Sequence, residues 1–215
     1  MSGMLPTGFE ELVSGAVVTA ALTVCAAAVS LVAGAISATL QVAGGRLGWL
    51  IGRAHVSLMR GTPALIQLFV VFFGLPLIGL GGHPFLAATM AIGLNSAAYV
   101  SEILRGSILA VPEGQLAAAI AIGMAPRHRW LRIVLPQAVT ASLPALANEA
   151  TLLLKTTPLA SIVAVTDLTF AGQIVIARTS RPVEVLLPVT AIYLGFALML
   201  TQASRSLERR RAARR

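Results

Sequence analysis

The chain has 215 residues, of which 57% are hydrophobic and only 11% carry a charge. A soluble domain carries about a quarter charged residues, so the composition excludes an ordinary globular fold in water. The single cysteine, Cys25, excludes an intramolecular disulfide bond. These properties indicate a membrane protein.

Apolar stretches long enough for membrane-spanning helices follow each other along the chain. A helix needs about 20 apolar residues to cross a bilayer. We predict five such helices, over residues 14–42, 61–80, 84–110, 137–162 and 184–206. The sequence therefore predicts an all-α membrane protein, with one transmembrane domain that takes up residues 1–215.

The net charge of +8 has its origin in clusters of basic residues between the predicted spans. The clusters are Arg46, Arg53 and Arg60; Arg105, Arg127, Arg129 and Arg132; and Arg205, Arg209, Arg210, Arg211, Arg214 and Arg215. Five spans place all three clusters on one face, which the positive-inside rule makes cytoplasmic. We expect the N-terminus outside, the C-terminus in the cytoplasm, the lipid bilayer as a partner, and no nucleic acid.

Two of the connections between the predicted spans have the following places. Residues 43–60 would connect the first two spans on the inside. Residues 163–183 would connect the last two on the outside, with room for a short helix. No Lys or Arg precedes Arg46, so we expect no cleavable signal peptide.

One connection is long, and it is rich in helix-forming residues. Pro112 suits a first helical turn, Ala, Leu, Ile and Gln then favour a helix, and Gly123 permits a turn. A basic stretch follows, and then the segment Ile133-Val134-Leu135-Pro136. A polytopic membrane protein rarely keeps so long a helix-forming segment in a loop unless a partner docks there.

This connection resembles the cytoplasmic coupling loop of the integral membrane subunits of binding-protein-dependent ABC importers. That loop reads Glu-Ala-Ala, three variable residues, Gly, and after about nine residues Ile-x-Leu-Pro. The Glu is replaced by Ala117 in this chain. The resemblance implies a coupling loop at about 111–136, with these ATPase-coupling residues: Gly114, Gln115, Ala117, Ala118, Ala119 and Gly123.

Three further segments resemble the polar amino-acid branch of the same family. They are Arg60 to Phe69 together with Phe73-Gly74-Leu75-Pro76, Asn95 to Gln115, and the stretch from Leu143 to Ser161. Together with the loop they cover about residues 60–165, whereas the rest of the chain matches mainly by hydropathy.

The resemblance implies a type I importer permease fold in the bacterial cytoplasmic (inner) membrane. Its implied function is to move amino acids or related small polar solutes into the cytoplasm as a transport subunit, not an enzyme. The implied partners are ATPase subunits that hold ATP and Mg, an external solute-binding protein, and a second permease subunit. This chain itself would hold no cofactor.

Polar side chains on the third and fourth spans are candidates for the solute pathway. Placing an ionised side chain near mid-membrane costs at least about 2.5–3.5 kcal/mol, so such groups face a partner or a wet cavity. On each span the polar residues recur at helical spacing, and Glu149 stands where the family commonly has Gln. The candidates are Asn95, Tyr99 and Glu102, and Asn148, Glu149, Thr151 and Lys155. The alternative is that Glu102 and Lys155 only satisfy neighbouring helices.

Other function classes find less support in the sequence. No Gly-rich phosphate loop of the form G-x-x-x-x-G-K-[ST] is present, so this chain is not itself the ATPase. The histidines His55, His83 and His128 are dispersed and have neither metal-ligand spacing nor a Ser-His-Asp context. A stand-alone secondary transporter or channel and a membrane enzyme remain as alternatives. The identity of the solute and of the second permease subunit stays open.

Overall fold

The structure is a computed structural model that describes the backbone of residues 5–212 and the side chains of residues 8–206. The arginines predicted to form a basic tail beyond residue 206 have their side chains outside this range. The described residues form helices and turns, without a strand. The helices are α1 (Leu5–Ala43), α2 (Gly45–Gly61), α3 (Ala64–Gly74), α4 (Pro84–Leu109), α5 (Glu113–Ala121), α6 (Pro126–Arg129), α7 (Leu135–Thr156), α8 (Leu168–Thr179) and α9 (Pro182–Ala212).

The helices agree with most of the predicted spans. Three continuous helical stretches within the described residues are long and apolar enough to cross a membrane: Gly8–Ala43, Pro126–Val163 and Pro182–Ser206. Two bent pairs, α2 with the α3 segment at 110° and α4 with α5 at 57°, bring the number to five if each counts as one span. The all-helical fold is confirmed. The orientation of the termini stays a prediction.

The sequence did not indicate that the first inner connection is itself helical. The region predicted as a connection over residues 43–60 is the helix α2, and it packs Gly48, Gly52 and Val56 inward. The helix ends before Thr62, which has an extended backbone, and α3 follows Pro63 in a different direction. Only 11 residues of α3 and the 3₁₀ turn Leu75–Ile78 follow, which is short for a span. Regularly spaced arginines concealed the helix from a prediction based on hydropathy.

The core of the molecule is the pair α1 and α4, whose backbones approach each other closely. A Cβ atom added to Gly34 would lie 2.6 Å from Cγ1 of Val100, and one added to Gly93 would lie 2.8 Å from Val29. Small residues allow this approach, which stabilises helix pairs in membranes through van der Waals contacts and interhelical hydrogen bonds.

The connection predicted over residues 163–183 does contain a short helix, α8. Asp167 is fully buried, and its carboxylate caps α8 by accepting a hydrogen bond from the amide of Phe170 (2.9 Å). The hydroxyl of Tyr193 on α9 donates to the same carboxylate (3.3 Å), and the amide of Leu168 donates to the hydroxyl of Thr19 on α1 (3.0 Å). These bonds join α8 to both α1 and α9.

We predict that Gly34→Ala lowers the free energy of unfolding by about 1–3 kcal/mol, because the added methyl group overpacks the contact between α1 and α4. The measurement is thermal unfolding of the purified chain in detergent. Gly106→Ala on α4 is the matched control, since nothing lies within 4 Å of its added Cβ atom. Equal losses of stability in the two variants would contradict the close approach at Gly34.

We also predict a pH-dependent contribution of Asp167 to stability. Burial raises the pKa of the Asp167 carboxyl, and hydrogen bonds from Phe170 and Tyr193 only partly oppose this effect. A carboxyl whose pKa is raised by folding adds stability at low pH, and this contribution is lost as the pH rises through the raised pKa. Asp167→Asn keeps a good helix cap but does not titrate.

Thermal unfolding between about pH 4 and pH 7, around the ordinary range of aspartate, tests this second prediction. The wild type should lose more stability than Asp167→Asn as the pH rises. Parallel curves for the two proteins would show that the carboxyl has the same pKa in the folded and unfolded chain.

Candidate functional site

A buried carboxylate lies where three of the long helices meet. Glu149 on α7 is 7% exposed, and its Oε1 atom accepts a hydrogen bond from Ser96 on α4 at 2.6 Å. The hydroxyl of Ser30 on α1 donates in turn to Ser96 at 3.0 Å. The ion pairs found among the described residues do not include Glu149. The carboxylate is therefore held by hydroxyl groups, without a cation from its own chain in that range.

A cavity of about 210 Å³ borders this carboxylate. Three of the predicted pathway residues, Asn95, Tyr99 and Glu149, lie in its wall, although they come from different helices. A separate cavity of about 260 Å³ also borders Glu149 and Ser96, but most of its remaining lining is Ala, Leu and Val. The first cavity has the polar and aromatic groups that a small polar solute requires, because it joins a carboxylate, an amide and a phenol.

Asn95, in the cavity wall, forms hydrogen bonds with residues on both sides of the break between α2 and α3. Its amide nitrogen donates to the side-chain oxygen of Gln67 (3.0 Å) and to the carbonyl of Met59 (3.2 Å). The amide nitrogen of Gln67 also donates to the Met59 carbonyl (2.9 Å) and to the hydroxyl of Thr62 (2.8 Å). The Asn95 amide is thus already engaged by the protein, and it positions the neighbouring backbone.

The other two residues of the predicted third-span face differ in their surroundings. Tyr99 is 38% exposed, and the guanidinium of Arg60 lies 5.3 Å from the centre of its ring. Glu102 forms an ion pair with Arg105, one turn further along α4, at 2.8 Å. Glu102 does not belong to the cavity lining, and Arg105 satisfies its charge locally. This arrangement corresponds to the alternative of a satisfied structural charge.

The polar residues predicted on the fourth span also lie in different environments. Asn148 and Lys155 are exposed, whereas the Thr151 hydroxyl donates to the carbonyl of Ala147 in its own helix (3.1 Å). None of these three residues borders the cavity. Glu149 points inward because each residue of a helix is turned by about 100° from the one before it. The exposed polar residues therefore form a face of α7 distinct from the buried carboxylate.

The segment that resembles a coupling loop contains the short exposed helix α5. Ala119 packs inward at 3% exposure, whereas Ile120 and Ile122 are 58% and 78% exposed. The helix ends at Gly123, whose φ of +73° is left-handed. The amide of Gly123 donates to the carbonyl of Ile120 (2.9 Å), and the amide of Met124 donates to the carbonyl of Ala119 (3.0 Å). These two bonds form a Schellman motif, so the predicted turn at Gly123 is confirmed.

The remaining residues of the predicted coupling set lie on the same short helix. Gly114, Gln115, Ala117 and Ala118 are exposed. The side-chain oxygen of Gln115 accepts a hydrogen bond from Gln137 near the start of α7, which ties the two helices together. Between them lies a π-helical turn over Trp130–Val134. It precedes Pro136, which lacks an amide hydrogen and disturbs regular helical bonding.

Sequence reasoning missed several side chains around the cavity. Ser30, Ser96 and Gln67 are buried, and each is bonded to a candidate residue or to a neighbour of one. Gln67 could have been found, since it is an isolated amide in an apolar helix. The two serines carry no such signal, because small hydroxyl residues are common at helix contacts in membranes. No group of three or more potential metal ligands is present among the described residues.

The chain is similar to known membrane transport proteins over nearly its whole length. Residues 11–212 match a family described as the binding-protein-dependent transport system inner membrane component. The octopine transport system permease protein of Rhizobium meliloti is 38% identical over 197 residues, which cover 86% of this chain and 80% of the relative. The glutamine transport system permease protein of Escherichia coli K12 is 33% identical over 201 residues, covering 93% and 92%.

A solved structure agrees with these relatives. The crystal structure of an amino acid ABC transporter with histidines has a chain that is 32% identical, with a TM-score of 0.88 and 96% of both chains covered. A methionine ABC transporter in an inward-facing conformation shares the fold, with a TM-score of 0.79 at 20% identity over 97% and 98% of the chains. The chain belongs to the binding-protein-dependent transport system inner membrane components, the bacterial permease subunits of ABC importers.

Proposed function

We propose that this permease subunit moves amino acids or related small polar solutes into the cytoplasm. The observation that carries the proposal is the buried carboxylate of Glu149 at a cavity that Asn95 and Tyr99 also line. An acidic side chain buried in a membrane span normally faces a pathway or a partner, and no cation of the described chain pairs with Glu149. The names of the octopine and glutamine permeases support a solute of this class.

In this proposal, α5 transmits the movement of the ATPase subunit to the permease. Its exposed Ile120 and Ile122, beside a surface of small residues, suit docking of a helix into a groove of a cytoplasmic ATPase subunit. ATP and Mg would be bound by that subunit. Closure of two ATPase subunits would move the paired α5 helices together and shift the population from inward-facing to outward-facing states. An external binding protein would deliver the solute to the outward-facing state.

A second permease subunit is part of the proposal because the cavity is small and α7 has an exposed polar face in this chain alone. The cavity of about 210 Å³ is smaller than the roughly 300–1,000 Å³ that is usual for ligand pockets. Asn148 and Lys155 lie on an exposed face of a candidate span, where lipid would be an unfavourable neighbour. A second subunit, identical or different, would cover this face and enclose a wet pathway.

The environment of Glu149 also suggests a preference for positive charge in the solute. Attraction between opposite charges is stronger in a poorly hydrated site than in water. A cationic group entering the cavity would find a carboxylate that only hydroxyl hydrogen bonds now stabilise. Glutamine at this place, which is common in the family, would offer an amide and no charge.

We predict that Gly123→Asp uncouples ATP hydrolysis from transport while the protein still inserts. Charge at this turn would block docking of α5 on the ATPase. Gly123→Asn is the matched control, because Asn and Asp both tolerate the left-handed conformation and have nearly the same shape. Uptake and stimulated ATPase activity are measured in reconstituted vesicles. Normal coupling in Gly123→Asp would remove this turn from the mechanism, and equal losses in both variants would show backbone strain as the cause.

We expect Ala117→Glu, which restores the residue usual in the family motif, to be tolerated. Ala117 is exposed on α5, so a longer side chain meets solvent or the partner and not the core. Co-purification with the ATPase subunit and uptake are the measurements. A failure to assemble would show that this loop packs on its partner differently from its relatives.

We predict that Glu149→Gln raises the KM for a cationic solute about tenfold, equivalent to about 1.4 kcal/mol, because the charge is lost while the shape is kept. Uptake by the complete complex in vesicles is compared with Glu184→Gln, the same change at an exposed residue of α9. Unchanged uptake of every transported solute would make Glu149 a structural residue.

The alternative of a stand-alone secondary transporter or channel has a simple test. The purified chain is reconstituted with and without the ATPase subunit, and solute uptake is measured. The importer requires the ATPase subunit and ATP. Uptake by the chain alone would contradict the proposal.

A further inference from the structure

Arg60 is a charged side chain that contacts a residue of the cavity wall and has no role in the proposed pathway described so far. It lies in the last turn of α2 and is exposed, with its guanidinium 5.3 Å from the centre of the Tyr99 ring. Tyr99 in turn lines the cavity together with Glu149. Within the described part of the chain, the ion pairs formed by carboxylates involve Arg105, Arg178 and Arg181 but not Arg60.

The place of Arg60 is set by the backbone on either side of it. The carbonyl of the preceding residue, Met59, accepts hydrogen bonds from Asn95 (3.2 Å) and Gln67 (2.9 Å). The helix then breaks at Thr62, which Gln67 also contacts. Because Asn95 lies in the cavity wall, the same network positions both the cavity and Arg60.

The guanidinium of Arg60 can make hydrogen bonds in addition to its contact with Tyr99. It carries five N–H donors, which lie in its plane as a fork. That fork matches the two oxygens of a carboxylate. A lysine at this position would supply a point charge but not the paired donors.

We propose that Arg60 binds the carboxylate of an α-amino acid solute at the edge of the cavity marked by Tyr99. This inference rests on the proposed function and refines it. The cavity then offers a carboxylate, Glu149, to the positive group of the solute, and a guanidinium to its negative group. Such a pair recognises a cationic α-amino acid at both its charged side chain and its carboxylate, and it rejects amines that lack the carboxylate.

If Arg60 served only as a topology signal, only its charge would be required. Arg46 and Arg53 lie on the same helix, 14 and seven residues before Arg60, and are also exposed. The positive-inside rule requires only charge, so Lys would replace Arg at any of the three positions without effect. Recognition of a solute carboxylate instead requires the paired donors of an arginine, and it requires them only at position 60.

The test uses the complex of the permease with its ATPase subunit. Uptake of the 20 standard amino acids into vesicles, with the binding protein present, first identifies a transported one. Binding of that amino acid and of its decarboxylated amine to the complex in detergent is then measured by competition. We expect the wild type to bind the amino acid at least tenfold more tightly than the amine.

Arg60→Gln should bind the two compounds about equally, and Arg60→Lys should recover only part of the difference. Arg46→Gln, the matched change in the first turn of α2, should behave as the wild type. Basal ATPase activity confirms assembly of each complex. If Arg60→Gln does not assemble, Arg60→Lys decides, since it keeps the charge that topology requires.

The results separate the two proposals. The Arg60 inference is overturned if the wild type does not distinguish the amino acid from the amine, or if Arg60→Lys discriminates as the wild type does. Full discrimination by Arg60→Gln overturns it too. The absence of ATP-dependent uptake of any amino acid or related small polar solute by the wild-type complex would instead overturn the proposed function.

Discussion

The close approach of α1 and α4 is the constraint on which the rest of the structure depends. In a membrane, lipid is as apolar as the helix surfaces, so helices associate through tight contact and hydrogen bonds. Gly34 and Gly93 permit that contact because a Cβ atom at either position would collide with the facing helix. Only at this distance can the short hydroxyl of Ser30 reach Ser96, which in turn holds Glu149. A steric property of two glycines thus controls the placement of a buried charge.

The functional parts of the molecule lie where its helices are interrupted. The break at Thr62 and Pro63 directs α3 away from α2 and leaves the end of α2 against the cavity wall. The left-handed turn at Gly123 ends α5 while its apolar side chains are still exposed. An uninterrupted helix satisfies its own backbone and offers few sites for other partners. Interruptions release backbone groups and reorient segments, and therefore they carry contacts that regular spans cannot make.

The ionisable residues in the candidate spans have three different environments. Glu102 is satisfied by Arg105 one turn away, Lys155 lies on an exposed face, and Glu149 is buried with hydroxyl partners. The free-energy cost of burying each group and its role differ accordingly. Glu102 has its partner in Arg105, whereas Glu149 has no cation beside it and can accept one from a solute. The same arrangement gives the cavity its polarity and leaves α7 with a face that a second subunit would complete.

The sequence by itself determined the class of fold, most of the long helices, the turn at Gly123 and the family, because apolar length, charge position and local turn chemistry are written along the chain. It did not reveal that α2 is a helix, since its regularly spaced arginines looked like a connection. Nor could it separate Glu149 from Asn148 and Lys155, or bring Arg60 beside Tyr99. Those relations join residues far apart in sequence. Helix packing and the direction of each side chain decide them, and both exist only in the folded molecule.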